Sequence, residues 1–297
     1  MNSIKETYTI KDFENLSGIK AHTIRIWEKR YDLFAPERLE SNFRSYTQQD
    51  LQKMLNIAYL NINGFKISKI AALSNNEIEI KVREHSTNNQ NNDAEINSLK
   101  LAMLKFDTVH FNQVYLKLLS EKTFSQVIES VFIPLLVDIG ILWHSNTINP
   151  ANEHFISNLI IQKIQIQTEK SYSNQGDLND DFVHILFLPT NEIHEIGLLY
   201  INYLLTLKGQ KTVYLGQSIP LTDLRSIQQQ FTNVKFITAF TTEPKTENIN
   251  KYLSELLEII ESADNHCSII GNKTTTIKTQ SIHISLFQNI SEYITHM

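Results

Sequence analysis

Apolar residues change their spacing twice along this chain. From residue 8 to about 75 they recur at helical spacing in short runs punctuated by Gly18 and Pro36. Four longer stretches of the same period follow, at 95–106, 108–120, 124–144 and 150–170. Beyond them, short continuous apolar runs at 182–188, 212–215, 235–240, 268–270 and 282–286 alternate with helical stretches at 196–208, 221–231 and 247–262. Polar breaks at 85–93 and 171–181 separate the three regimes and read as linkers. No internal repeat is visible.

Each regime predicts an architecture. In the first, a helix over 11–16 ends at Gly18 and a second begins near Ala21, which is a helix-turn-helix. Pro36–Arg38 and Asn42–Tyr46 form a hairpin wing, and a third helix opens on the capping-box pattern Thr47-x-x-Asp50. The four helices of the second regime have short connections and predict an antiparallel bundle. Asp107, Thr123 and the Asn149-Pro150 pair are its N-terminal caps, and Pro134 predicts a kink or break in the third helix. The third regime predicts a parallel sheet covered on both faces, a flavodoxin-like doubly wound domain. Its connection over 273–280 is too short and too β-branched for a full helix. The fold class is therefore multidomain, α and α/β. A winged helix-turn-helix spans 1–75, a linker 76–92, a four-helix bundle 93–171 and the α/β domain 181–297.

Length supports this division, since 297 residues suffice for two or three domains. The single cysteine, Cys267, excludes an intrachain disulfide and suits a reducing cytoplasm. No secretory signal begins the chain, and no apolar run of membrane-spanning length is seen, so no membrane partner is expected. Charge is uneven. Residues 1–75 hold 11 Lys/Arg and 8 Asp/Glu, a net of +3, so the remainder holds 27 − 11 = 16 and 32 − 8 = 24, a net of −8. A positive head on a negative body points the head alone at a polyanion.

Candidate chemistry sits in three places. On the second helix His22, Thr23, Arg25, Lys29 and Arg30 offer polar and basic groups, with His22, Arg25 and Lys29 on one face and Ile24 and Trp27 facing inward. Such a helix can enter a major groove, and Arg44 and Tyr46 on the wing are suited to phosphates. The second place is the loop after the first strand of the α/β domain, Glu192-Ile193-His194-Glu195-Ile196-Gly197. Open sheets bind ligands outside the carboxyl ends of their strands, and a neutral imidazole oriented by a carboxylate is a good metal ligand. The third place is the end of the third bundle helix and the start of the fourth. Trp143 and Glu153-His154 stand nine residues apart across a short loop that brings them together. The remaining histidines (His22, His85, His110, His144, His184, His266, His283 and His296) show no metal spacing, and no phosphate loop, nucleophile elbow or paired-carboxylate arrangement suggests an enzyme.

Residues 8 to about 75 resemble the MerR family of transcription regulators, through Thr23 to Tyr31, Pro36, Arg38, Arg44, Tyr46, Asp50 and Leu51. The polar stretch 74–93 is a poor match to the long dimerisation helix of many such proteins. The Glu192-x-His194-x-x-Gly197 loop resembles the cobalt-ligating loop of cobalamin-binding domains, and the Trp143-x9-Glu153-His154 spacing resembles the cap of light-responsive repressors of the CarH/LitR type. The resemblance implies that His194 ligates cobalt from below, Glu192 orients it, and Gly197 lets the backbone approach the corrin. It also implies that Gly216, Ser218, Thr238 and Gly271 line the cofactor site, and that Trp143, Glu153 and His154 form its upper face. His154 would be free to move onto cobalt when the adenosyl group leaves. Two departures bear on affinity: Phe240 ends the Thr238-x-Phe240 segment where the family has Leu, and Asn272 replaces the second Gly of a Gly-Gly pair.

What the resemblance implies as a whole is a cytoplasmic regulator, a repressor, that binds a double-stranded DNA operator. It would hold adenosylcobalamin and form a homo-oligomer, dimer or tetramer, that light disrupts. The alternatives for the cofactor are methylcobalamin or none. In the last case the α/β domain is a protein-interaction module.

Overall fold

The computed structural model describes residues 7–38, 44–88, 92–172, 179–231, 233–261 and 263–297. Asn42 and Phe43 of the expected wing, and 89–91 and 173–178 of the two polar breaks, lie outside the described residues. The chain forms two compact units, Met1–Leu159 and Ile160–Met297.

The first unit opens with β1 (Thr7–Tyr8), α1 (Ile10–Ser17), α2 (Ala21–Tyr31), β2 (Glu37–Arg38), β3 (Arg44–Thr47) and α3 (Gln48–Ile62). β3 is the middle strand of a three-stranded antiparallel sheet in the order β1-β3-β2. Thr9 and Asp12 satisfy each other across the first turn of α1, and Thr47 and Asp50 do the same for α3. Gly18 ends α1 at φ 73°, a left-handed geometry that costs glycine nothing. Phe13, Ile24, Trp27, Phe34, Tyr46 and Leu51 form the core, with the rings of Phe13 and Tyr46 stacked at 4.2 Å.

Next come α4 (Ile67–Ile70) and α5 (Asn75–Asn88). The stretch expected as a linker is thus largely helical. Its start is a capping box: Ser74 N donates to Glu77 Oε2 at 2.7 Å, and Glu77 N to Ser74 Oγ at 3.3 Å. Ile78 is buried, and Tyr59 Oη lies 3.1 Å from His85 Nδ1, so α5 docks on α3.

The bundle consists of α6 (Asp93–Lys105), α7 (Thr108–Glu121), α8 (Phe124–Val127), α9 (Ile133–His144) and α10 (Pro150–Tyr172). A π turn, Ile128–Phe132, joins α8 to α9 just ahead of Pro134. Proline has no N–H, so the Ser130 carbonyl four residues earlier loses its helical donor. Asn92 Nδ2 replaces it at 3.1 Å. By length and composition Phe124–His144 could cross a membrane. Here it is a bundle helix: Val127, Ile128, Val131, Phe132, Leu135, Ile139 and Leu142 are buried, and Asp138 pairs with Lys100 at 2.5 Å.

α10 ends in the second unit, which continues with β4 (Asn179–Pro189), α11 (Ile196–Leu207), β5 (Gln210–Ile219), α12 (Leu221–Gln228), β6 (Val234–Ala239), α13 (Ile249–Glu261), β7 (His266–Ile270), β8 (Ile284–Phe287) and α14 (Ile290–His296). The order β5-β4-β6-β7-β8, parallel throughout, is that of a flavodoxin-like sheet. The segment after β7 is a short 3-10 turn, Asn272–Thr276. α14, which the apolar pattern did not announce, is capped by Asn289. Leu186, Leu188, Ile237 and Ile270 meet α11 and Tyr293 of α14 on one face. Phe187, Phe236, Phe240 and Ile269 meet α12 and α13 on the other.

Candidate functional site

On α2 the apolar anchors are Ile24 and Trp27, and His22, Arg25, Lys29 and Arg30 are exposed, with Thr23 partly so. Glu28, an acid on an otherwise basic helix, is turned into the fold. Arg44 Nε donates to its Oε2 at 3.1 Å and the Tyr46 hydroxyl to its Oε1. The carboxylate therefore fastens the wing strand to the second helix and removes a negative charge from the surface that faces outward. This corrects the expectation for Tyr46. Its side chain is fully buried and its hydroxyl is committed to Glu28, so it supports the wing and does not grip phosphate. Arg44 is one-third exposed.

In the second unit the loop after β4 and the loop after β6 meet at Glu192. These strands are neighbours where the order of connection reverses, the place where open sheets bind ligands. The Glu192 side chain is wholly buried. It accepts from the backbone N–H groups of Ile193 (3.0 Å), His194 (3.1 Å), Thr241 (3.2 Å), Thr242 (2.6 Å) and Glu243 (2.8 Å). Burial acts to raise its pKa, but the bonds from the His194 ring and from the Glu243, Thr242 and His194 amides hold it far below the usual carboxylate range. His194 Nδ1 sits 2.5 Å from Glu192 Oε1, and its side chain is half exposed. A buried carboxylate on Nδ1 selects the tautomer that carries its lone pair on Nε2.

Other groups hold this frame. Asn191, at φ 67°, donates its N–H to Ser218 Oγ at 3.0 Å, which ties the β4 loop to the end of β5. Glu195 accepts from Tyr214 Oη at 2.8 Å and from Gln217 Nε2 at 2.7 Å. Lys273 Nζ donates to the carbonyls of Thr242 and Pro244, the second at 2.9 Å, and secures the loop that serves Glu192. Glu195 and Lys273 went unnoticed in the sequence; a charged residue just past a strand end was the only available signal. Gly216 is buried at φ 83° beside Tyr214. A Cβ on Gly271 (φ 135°) would stand 2.3 Å from the Phe240 carbonyl oxygen, so two strand ends meet there. A Cβ on Gly197 would stand 2.5 Å from Ile290 Cδ1. Its smallness thus also serves the packing of α11 on α14. Asn272 is exposed. Thr238 is fully buried and its hydroxyl has no hydrogen-bond partner among the described residues, which costs about 1–3 kcal/mol.

In the first unit Trp143 ends α9 about half exposed, with the His144 ring edge-on at 5.0 Å. Asn149 and Asn152 cap α10 reciprocally, which sets Glu153 and His154 in its first turn. Glu153 Oε1 accepts from Ser157 Oγ at 3.0 Å, and its Oε2 lies 3.3 Å from His154 Nδ1. The loop between the two helices is held by Thr147, whose hydroxyl accepts from Asn15 Nδ2 of α1 at 2.8 Å.

Residues 8–77 match the family described as MerR HTH family regulatory protein, and residues 95–166 match the B12 binding domain. Over 226 residues, 74% of each chain, the sequence is 27% identical to the HTH-type transcriptional repressor CarH of Myxococcus xanthus. It is 25% identical to the repressor CarA of the same organism over 225 residues, 74% of this chain and 71% of that one. The monomethylamine corrinoid protein of Methanosarcina barkeri shares the fold at a TM-score of 0.56 and 13% identity, covering 69% of this chain and 97% of that one. The similar curated proteins are transcription regulators, not enzymes. With a helix-turn-helix in α1 and α2, a helical bundle and a parallel sheet, the chain carries a MerR-type DNA-binding domain and a B12 binding domain and is similar to the CarH and CarA repressors.

Proposed function

We propose that this protein is a light-responsive repressor whose cofactor is adenosylcobalamin. The matched domains support a DNA-binding regulator with a cobalamin cofactor. The single observation behind the cofactor assignment is the Glu192–His194 pair. A wholly buried carboxylate fixes the imidazole through Nδ1, and Nε2 is the nitrogen proposed to donate to cobalt. The remaining residues fit the group as well. Thr238 supplies a buried hydroxyl in need of a partner, Gly271 keeps a side chain out of the crowded strand end, and Gly216 and Ser218 border the same loops.

In this reading Trp143, Glu153 and His154 would also serve the cofactor, and Glu153, 3.3 Å from His154 Nδ1, would orient that imidazole. When bound, adenosylcobalamin supplies a cobalt–carbon bond that light breaks. His22, Thr23, Arg25, Lys29 and Arg30 meet operator DNA from α2, with Arg44 on the backbone. Asn15 and Thr147 connect the cap loop to α1, so a change at Trp143 and His154 has a route to the DNA reader. Self-association, as dimer or tetramer, is part of the proposal; the bundle leaves Val109, Leu116, Val137 and Ile141 exposed. Cytoplasmic work beside the chromosome follows from the DNA partner.

The test is the absorbance spectrum of the purified protein loaded with adenosylcobalamin, before and after green illumination. A cobalamin spectrum that changes on illumination, and that His194→Ala converts to a form lacking the histidine ligand, is expected. A colourless protein favours the reading in which the α/β domain is a protein-interaction module, and a spectrum indifferent to light removes light sensing.

A further inference from the structure

The first unit holds a cleft that neither the residues proposed for DNA nor those proposed for the cofactor line. It has a volume of about 220 Å³ and is formed by α3 and α5 together with α6 and α7. Pockets for drug-sized ligands hold roughly 300–1,000 Å³, so a guest here is small. Two carboxylates line it. Glu95 of α6 has a side chain only 10% exposed, and Glu79 comes from α5. Burial and then the negative charge of Glu95 and Asp93 hold the Tyr59 hydroxyl, also in the lining, above its ordinary pKa. The lining includes the apolar side chains of Val82, Leu101 and Val114 as well. Ser98 and His110 lie in it too, and they are paired with each other at 2.8 Å.

A buried carboxylate calls for a cation. Glu95 finds one in Lys117 Nζ at 2.9 Å, but that ammonium arrives on a side chain 45% exposed, which is costly to hold in place. Glu79 has an amide as its partner among the described residues, Gln52 Nε2 donating to its Oε1 at 3.2 Å. The cleft therefore offers one carboxylate with a displaceable cation, a second served by a neutral donor, and an apolar wall.

We propose that this cleft binds a short aliphatic diamine. One ammonium replaces that of Lys117 on Glu95, the other meets Glu79, and the methylene chain lies on Val82, Leu101 and Val114. A free amino acid is a poorer guest, since its carboxylate would face two like charges, and a bare metal ion would make no use of the apolar wall. The guest joins α5, which docks on the third helix of the reader, to α6 of the bundle, and so braces that junction. The proposal is independent of the cobalamin reading.

Isothermal titration calorimetry on the full-length protein compares putrescine, a four-carbon diamine, with butylamine, which has the same chain and a single ammonium. Putrescine is expected to bind saturably, one per chain, and butylamine about tenfold more weakly, the scale of one hydrogen bond to a charged group. Glu79→Gln should bring putrescine down to the level of butylamine and leave butylamine where it is. Lys117→Ala should tighten both amines, because the resident ammonium no longer competes; a pair that serves only the fold gives no such gain. Non-saturable binding or equal affinity for the two amines overturns the proposal. So does a Glu79→Gln variant that binds putrescine as the parent does, or a Lys117→Ala variant that binds the amines no more tightly.

Discussion

Glu192 carries the densest set of contacts around the His194 loop, and its ionisation is tied to stability. Its folded pKa is depressed, so the stabilisation it gives is fully present above the ordinary glutamate value of about 4.3 and is lost as pH falls through the folded value. Glu192→Gln keeps the shape but removes the charge that the amides of Thr241 to Glu243 and the His194 ring address. Urea unfolding at pH 7 should show a loss of about 2–4 kcal/mol, since bonds to a buried charge are the strong ones. The gap should narrow as pH drops below 4; a gap that stays constant with pH would contradict the assignment. The motif made Glu192 and His194 legible in the sequence. The amides of the β6 loop were not, because main-chain donors have no signature in side-chain pattern. Tyr46 was misread for a related reason: an aromatic hydroxyl beside an arginine looks the same whether it meets phosphate or a buried Glu28.

Elements were legible where apolar period and caps agreed. The five strands of the α/β unit and the helices of the bundle lie within a few residues of the expected positions. α5 was not anticipated because it is polar; the Ser74-x-x-Glu77 box announces its start, yet among its described side chains only Ile78 is fully buried. Pro134 correctly marked an irregularity in the third bundle helix, but the form it takes, a π turn, depends on a partner 38 residues away in sequence. That partner gives a prediction. Asn92→Ala leaves the Ser130 carbonyl without its donor and should lower stability by about 1 kcal/mol in chemical denaturation. No change would mean that water serves the carbonyl equally well.

The whole molecule joins a basic reader to an acidic remainder, and the charge split of +3 against −8 already separated the two roles (11 − 8 and 16 − 24). What sequence could not supply is the connection between them. The hydrogen bond from Asn15 to Thr147 pairs residues 132 apart and links α1 to the loop between Trp143 and Glu153. It gives the helix-turn-helix a direct mechanical tie to the residues proposed for the cofactor's upper face, which is what a cofactor-governed regulator requires. All of this depends on cobalt being held by His194. Electron paramagnetic resonance of the full-length protein loaded with cob(II)alamin, prepared with ordinary and with 15N-labelled histidine, reads that bond. The account predicts nitrogen hyperfine splitting that changes with the label, and loss of that label dependence in His194→Ala; splitting indifferent to the label in the parent protein would contradict it.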